Sequence, residues 1–271
     1  MNIQLLSDLH LENNPGFTPQ HASGADLLVL AGDIGSYQRR RDGSTMPDAD
    51  WGLRRFADWP VPVVYVPGNH EYDGLDWDDT HARLREACER LGLIWLEREV
   101  HVAGGVRLIG TTLWSDYDVF GDRPKAYRAA NHYLRKMEGR RHGQLFDAEA
   151  MRGVALECQQ WLRDALLQPW AGSTVVVTHF APTLHSMDPR YGATPGTAGF
   201  CNGLDDLLPQ ADLWLHGHLH CPQDRQLGRC RIVANPLGYA DKNEQLGFLP
   251  TQLITVNPQG AARVPARADR P

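Results

Sequence analysis

The sequence predicts an α/β protein, α+β in the looser sense, folded as a sandwich of mixed β-sheets. Two observations carry this. Short apolar runs of strand length recur along the chain, and amphipathic segments of helical period separate the early ones, whereas the late strands cluster. Ile3–Leu6, Leu27–Leu30 and Val63–Val66 come first, each β-branched or leucine-rich and ending in small or polar residues. Val106–Ile109, Thr174–Val177, Leu213–Leu215 and Arg231–Val233 follow. Helices are expected at about Ala49–Trp59, Trp77–Leu91 and Asp147–Leu167, where apolar residues recur near a 3.6 period and charges take the other face.

The chain has 271 residues, 42% hydrophobic and 22% charged, enough for a sizeable core. Neither an internal repeat nor a Pro/Gly/Ser linker divides it, so residues 1–260 read as one domain. The stretch 116–144, rich in Arg, Lys, Tyr and Gly, reads as an excursion, and 261–271 as a disordered tail. A net charge of −6 does not advertise a nucleic-acid or anionic-membrane partner. The five cysteines are odd in number and widely spaced, which fits a reduced cytosol rather than a disulfide framework. The opening Ile3-Gln4-Leu5-Leu6 is too short for a signal-peptide core, and no apolar run approaches a membrane span. The expected location is cytoplasmic, with no membrane association.

Candidate ligands sit directly after the strand-like runs. Asp8 and His10 follow Leu5-Leu6-Ser7, Asp33 follows Leu28–Gly32, and Asn69-His70-Glu71 follows Val63–Gly68. His179 follows Val175–Thr178, and His218 and His220 follow Leu213–Leu215. Carboxyl ends of strands share one rim in open α/β sheets, so five segments are expected to converge there. In extended backbone Asp8 and His10, or His218 and His220, would project to one side, so that each pair grips one ion. The glycines before Asp33, Asn69 and His218 permit close backbone approach. Carboxylate, imidazole and amide donors without thiolate suit two divalent ions such as Mn, Fe, Zn, Co or Ni. Such a pair clamps the oxygens of an in-line displacement at phosphorus and activates a bridging water to hydroxide.

In order, Asp8-Leu9-His10, Gly32-Asp33, Gly68-Asn69-His70-Glu71, His179 and Gly217-His218-Leu219-His220 resemble the motif series of the calcineurin-like metallophosphoesterases, over most of the chain. The resemblance implies a four-layer α/β/β/α sandwich with the metal site at the strand rim. It implies that Asp8, His10, Asp33 and His220 hold one metal, that Asp33, Asn69, His179 and His218 hold the other, and that Asp33 bridges. Mn or Fe is favoured. It implies that His70 is a general acid rather than a ligand, and that the substrate is a small phosphate ester, a phosphodiester slightly favoured over a monoester. In some family phosphatases an aspartate shortly after GD orients this histidine; here Ile34-Gly35-Ser36-Tyr37 follows, and Ser36 stands where purple acid phosphatases place a ligating tyrosine. Related bacterial sequences often have Arg where Leu237 stands.

The other histidines, among them His216, read as structural, with His216 facing away from His218. Trp114, Ser115 and Asp116 read as packing residues, and Cys201 and Cys221 likewise. The basic runs Arg39-Arg40-Arg41 and Arg135 to His142 read as solvated charge, and the loop 181–203 as a wall beside the site. The competing functions are a metal-retaining interaction scaffold without catalysis and a nuclease.

Overall fold

The computed structural model describes residues 1–38 and 43–258. The run Arg39-Arg40-Arg41 and the tail 261–271 lie outside the described residues. The strands are β1 (Asn2–Leu6), β2 (Leu27–Ala31), β3 (Val63–Val66), β4 (Ile94–Trp95), β5 (Glu99–Ala103), β6 (Val106–Thr111), β7 (Arg140–Arg141), β8 (Gln144–Leu145), β9 (Ser173–Thr178), β10 (Leu213–His216), β11 (Gln223–Leu227), β12 (Cys230–Ala234) and β13 (Leu253–Thr255). The helices are α1 (Trp77–Leu91), α2 (Arg123–Met137) and α3 (Ala148–Leu167).

Two large mixed sheets result, ordered β13-β1-β2-β3-β4 and β11-β12-β10-β9-β6-β5, with β7 and β8 forming a small hairpin. The strands β1, β2 and β3 run parallel, as do β6, β9, β10 and β12, so within each sheet their carboxyl ends reach a common rim. Period-2 alternation divides the apolar side chains. Ile3, Leu5, Val29 and Val64 from one sheet meet Leu108, Val175, Val177, Leu215 and Val233 from the other in a core between the sheets. The alternate residues Leu28, Leu30, Tyr65, Ile109, Val176 and Trp214 face the outer layers, where α1 packs beside β4 and α3 on β6. Mixed sheets flanked by helices are therefore the architecture the sequence predicts.

Helix ends follow local chemistry. Asp76 caps α1 by accepting from the N–H groups of Asp78 and Asp79, and Gly92 closes it in the left-handed region at φ 71°. Asp147 caps α3 in the same way through Glu149 and Ala150.

One expectation changes, and one segment gains detail. The segment 49–59 is a 3-10 turn, Asp50–Phe56, interrupted by left-handed Trp51 and Gly52. Packing decides this: the Trp51 indole N–H donates to the Glu71 carbonyl at 2.9 Å, and the space a Cβ on Gly52 would need is filled by Leu11 and Met46. The excursion 116–144 contains α2 and the β7–β8 hairpin. Its helical period is faint because only Ala126 of α2 is fully buried, so little apolar stripe exists to read. No helix among the described residues is long and apolar enough to cross a membrane.

Candidate metal centre and active site

Both sheets feed the same rim. From the first come Asp8 and His10 beyond β1, Asp33 beyond β2, and Asn69 and His70 beyond β3; from the second come His179 beyond β9 and His218 and His220 beyond β10. The loops are zipped to one another past the strand ends: Asp8 N–H donates to Gly32 O, His10 N–H to Asp33 O, and Gly217 N–H to His179 O, all at 2.9–3.1 Å.

The backbone here is not extended. Asp8 (φ 52°), His10 (43°), Asp33 (53°), His218 (70°) and His220 (47°) all occupy the left-handed region. A non-glycine residue there costs on the order of 1–3 kcal/mol, and such conformations gather where surrounding structure fixes a side chain's aim. Asp8 and His10 thus reach one side through consecutive tight turns, not by strand alternation. The same turns separate His218 from His220, which do not grip together: His220 joins Asp8 and His10 in one group of candidate ligand atoms, and His218 joins Asp33 and His179 in another.

Gly68 shows how closely the loops pack. A Cβ there would collide with the Asp33 carboxylate and its backbone nitrogen. Gly68→Ala is expected to destabilise the fold by about 1–3 kcal/mol through overpacking, read as a lower urea midpoint at unchanged slope.

In the first group His10 Nε2 and His220 Nε2 stand 3.0 Å apart, with Asp8 Oδ1 3.4 Å from His220 Nε2. In the second, His179 Nε2 is 3.1 Å from Asp33 Oδ2 and 3.2 Å from Asn69 Oδ1. Asp33 Oδ2 also lies 3.9 Å from His10 Nε2, so one carboxylate oxygen stands between the groups. Asp8 Oδ2 and Asp33 Oδ2 are buried and accept no hydrogen bond within the described residues. An orphaned buried carboxylate oxygen is costly, and here two face clustered imidazoles with no thiolate nearby. That donor set fits divalent cations.

Acidic partners fix the rings from behind. His10 Nδ1 meets Glu12 Oε1 at 3.1 Å and His220 Nδ1 meets Glu244 Oε2 at 2.6 Å, while His179 Nδ1 meets the Ala31 carbonyl at 2.8 Å. Each leaves Nε2 facing the centre, the arrangement that orients metal-ligating histidines. Burial works against ionisation of Asp8, but His220 outweighs it and holds the carboxyl down at about 2. Asp33 is likewise held well below the ordinary range against burial, by His179 and His70. Burial drives His218 down to about 3, leaving its imidazole neutral.

His70 sits apart. Its Nε2 lies 4.0 Å from Asp33 Oδ2, and its Nδ1 is held at 2.6 Å by Asp73 Oδ2, which also accepts from Ser36 Oγ at 3.1 Å. The carboxylate expected shortly after Gly32-Asp33 is thus supplied three residues beyond His70 itself, while Ser36 braces it. Glu71 ties the loops together by accepting the N–H groups of Asp33, Ile34 and Gly68. The bland readings hold elsewhere: His216 is buried against Ser186 and Gln223, and Trp114 packs between Tyr72, Phe146 and Phe180. Four cysteines are buried and Cys221 is half-buried. The loop 181–203 does border the centre, with Gly199 O 3.3 Å from His218 Nε2 and Phe200 stacked on that ring.

A family model described as calcineurin-like phosphoesterase matches residues 1–222. The chain belongs to this family. As a calcineurin-like phosphoesterase it is a metal-dependent phosphoester hydrolase. It is 23% identical to an uncharacterized protein of Acanthamoeba polyphaga mimivirus, over 94% of this chain and 96% of that protein. Among solved structures it resembles a phosphopantetheinyl hydrolase from Mycobacterium tuberculosis, at 21% identity and a TM-score of 0.69, with 96% and 98% of the two chains covered. A dimetal phosphatase from Danio rerio is a more distant likeness, at 13% identity and a TM-score of 0.48, with 92% and 89% covered.

Of the residues that matter here, sequence reasoning missed Glu12, Asp73 and Glu244. Glu12 lies two residues after His10 and Asp73 three after His70, so both were open to a search for second carboxylates near each motif. Glu244, 24 residues beyond His220, leaves no local signal.

Proposed function

We propose that this calcineurin-like phosphoesterase is a dinuclear enzyme, with Asp8, His10, Asp33 and His220 holding one divalent ion and Asp33, Asn69, His179 and His218 the other. The observation that carries the reading is the position of Asp33 Oδ2, orphaned and buried between His10 Nε2 and His179 Nε2. That the chain forms one domain over residues 1–260 is part of the same proposal. When bound, the two ions neutralise the phosphoryl oxygens and supply an activated water for in-line attack. Mn or Fe is favoured on the family's resemblance.

His70 acts as the general acid for the leaving oxygen. Burial alone would discharge this imidazole, but Asp73 and Asp33 outweigh it and hold its pKa well above the ordinary value. Asp73 at Nδ1 aims Nε2 toward the centre, where it can hold the proton that the leaving oxygen takes. Ser36 and the surrounding loops fix Asp73 in turn, so the pair is a positioned unit rather than a mobile surface histidine.

A small phosphodiester is the favoured substrate class, on family resemblance. The test is metal analysis of the purified protein with turnover of bis(p-nitrophenyl) phosphate against p-nitrophenyl phosphate across Mn, Fe, Co, Ni and Zn. A phosphopantetheinyl ester belongs in the same screen, because a structurally similar protein is named a phosphopantetheinyl hydrolase. Two ions per chain and faster diester cleavage are expected. Faster monoester cleavage overturns the diester preference, and one ion at full activity overturns the dinuclear reading.

A further inference from the structure

Charge is unevenly distributed in this acidic chain. Between Arg123 and Gln144 there are seven Lys or Arg residues and one acid, Glu138, although the whole chain has net charge −6. Most arginines elsewhere are paired, for example Arg55 with Asp48, Arg90 with Asp50, Arg163 with Asp206 and Arg231 with Asp224. At the start of α2 Arg123 and Lys125 are also paired, with Asp118 and Asp122. Further along, Arg128, His132 and Arg135 follow at i, i+4 and i+7, one row on the helix. All three are exposed, as are Tyr133 and Lys136, and Lys136 Nζ lies 5.7 Å over the Tyr133 ring. None of the ion pairs among the described residues involves Arg128, Arg135 or Lys136.

The helix carrying this row stands beside the site. Met137 O at its end accepts from Gly74 N–H in the His70–Asp73 loop, and Gln38 Nε2 donates to Lys136 O. Its other contacts are with α3 and the turn Pro195–Gly199, which leads to the Phe200 ring stacked on His218. Leu134 and Met137 of this helix line a small cavity together with Trp114, Asn69 and Asp73.

We propose that the outer face of α2 is the docking surface for an acidic protein, which presents a slim phosphoester group to the adjoining centre. Delivery of an ester rests on the proposed phosphoesterase reading; the docking itself does not. A convex row about 10 Å long matches acidic side chains on a partner helix at the same spacing. Nucleic acid fits less well, since a polyanion with a charge every ~1.7 Å must approach a chain of net negative charge and finds a convex face, not a groove.

The probe is a fluorescent amphipathic peptide of about 20 residues with Glu at i, i+4 and i+7, titrated by anisotropy in about 50 and about 200 mM salt beside an oligo-dT of equal charge. The peptide is expected to bind, to weaken with salt, and to lose at least about tenfold in affinity in the Arg128→Glu/Arg135→Glu/Lys136→Glu variant. No peptide binding, binding indifferent to the variant, or tighter oligo-dT binding through the same face overturns the proposal. Thermal melting reports whether the variant folds; if it does not, the Gln triple variant decides by the same criterion. Binding is read without turnover, so failure here and failure of the phosphoesterase reading are distinguishable.

Discussion

Asp33→Asn is expected to reduce phosphoester turnover by about a thousandfold or more and to lower bound metal from two ions per chain to one or none. The change keeps size and shape, so Oδ1 can still accept the His70 N–H at 2.8 Å and the loop stays closed. What disappears is the anionic Oδ2 between the two imidazole groups. An amide nitrogen there would be a donor facing ligand nitrogens, which neither ion tolerates. Metal analysis and turnover of bis(p-nitrophenyl) phosphate, on protein whose melting temperature is unchanged within a few degrees, make the check. A variant that keeps both ions and turns over within tenfold of the parent would remove Asp33 from the bridging position.

His70→Gln is expected to leave both ions bound and to cost about 10²–10⁴-fold in turnover. The loss should depend on the leaving group. An alkyl alkoxide needs a proton as it departs, whereas p-nitrophenolate scarcely does, so the alkyl diester should suffer far more than the p-nitrophenyl one. Asp73→Asn should move activity in the same direction, by about tenfold or more, with the same leaving-group dependence. Combining the two changes should add little to His70→Gln alone, because residues acting as a unit are not additive. Equal losses on both esters would mean that His70 stabilises charge without donating a proton. Loss of metal in His70→Gln would make it a ligand, a geometry its proximity to His10 and Asp33 allows.

Local sequence was informative where chemistry is local. Strand-length apolar runs placed β1, β2, β3, β6, β9, β10 and β12, and the helical period over 77–91 and 147–167 placed α1 and α3. The edge strands β4, β5, β11 and β13 escaped because they bury few side chains and so carry little apolar run: β5 has no fully buried residue. The helix α2 escaped for a related reason, lying with most of its surface in solvent.

The ordered motifs alone specified which donor types exist and that they follow strands, hence a rim crowded with carboxylate and imidazole. Spacing could not say which donors share an ion. His218 and His220 are two residues apart yet belong to different groups, because left-handed turns rather than strand alternation aim them. Only the tertiary fold brought Asp33 between His10 and His179 and set Glu244 behind His220, whereas the turn His70–Tyr72 brings Asp73 back onto His70 locally. Those contacts run from 3 residues apart, Asp73 and His70, to 146, Asp33 and His179, and a linear pattern carries residue identity but not the direction in which a folded backbone points it.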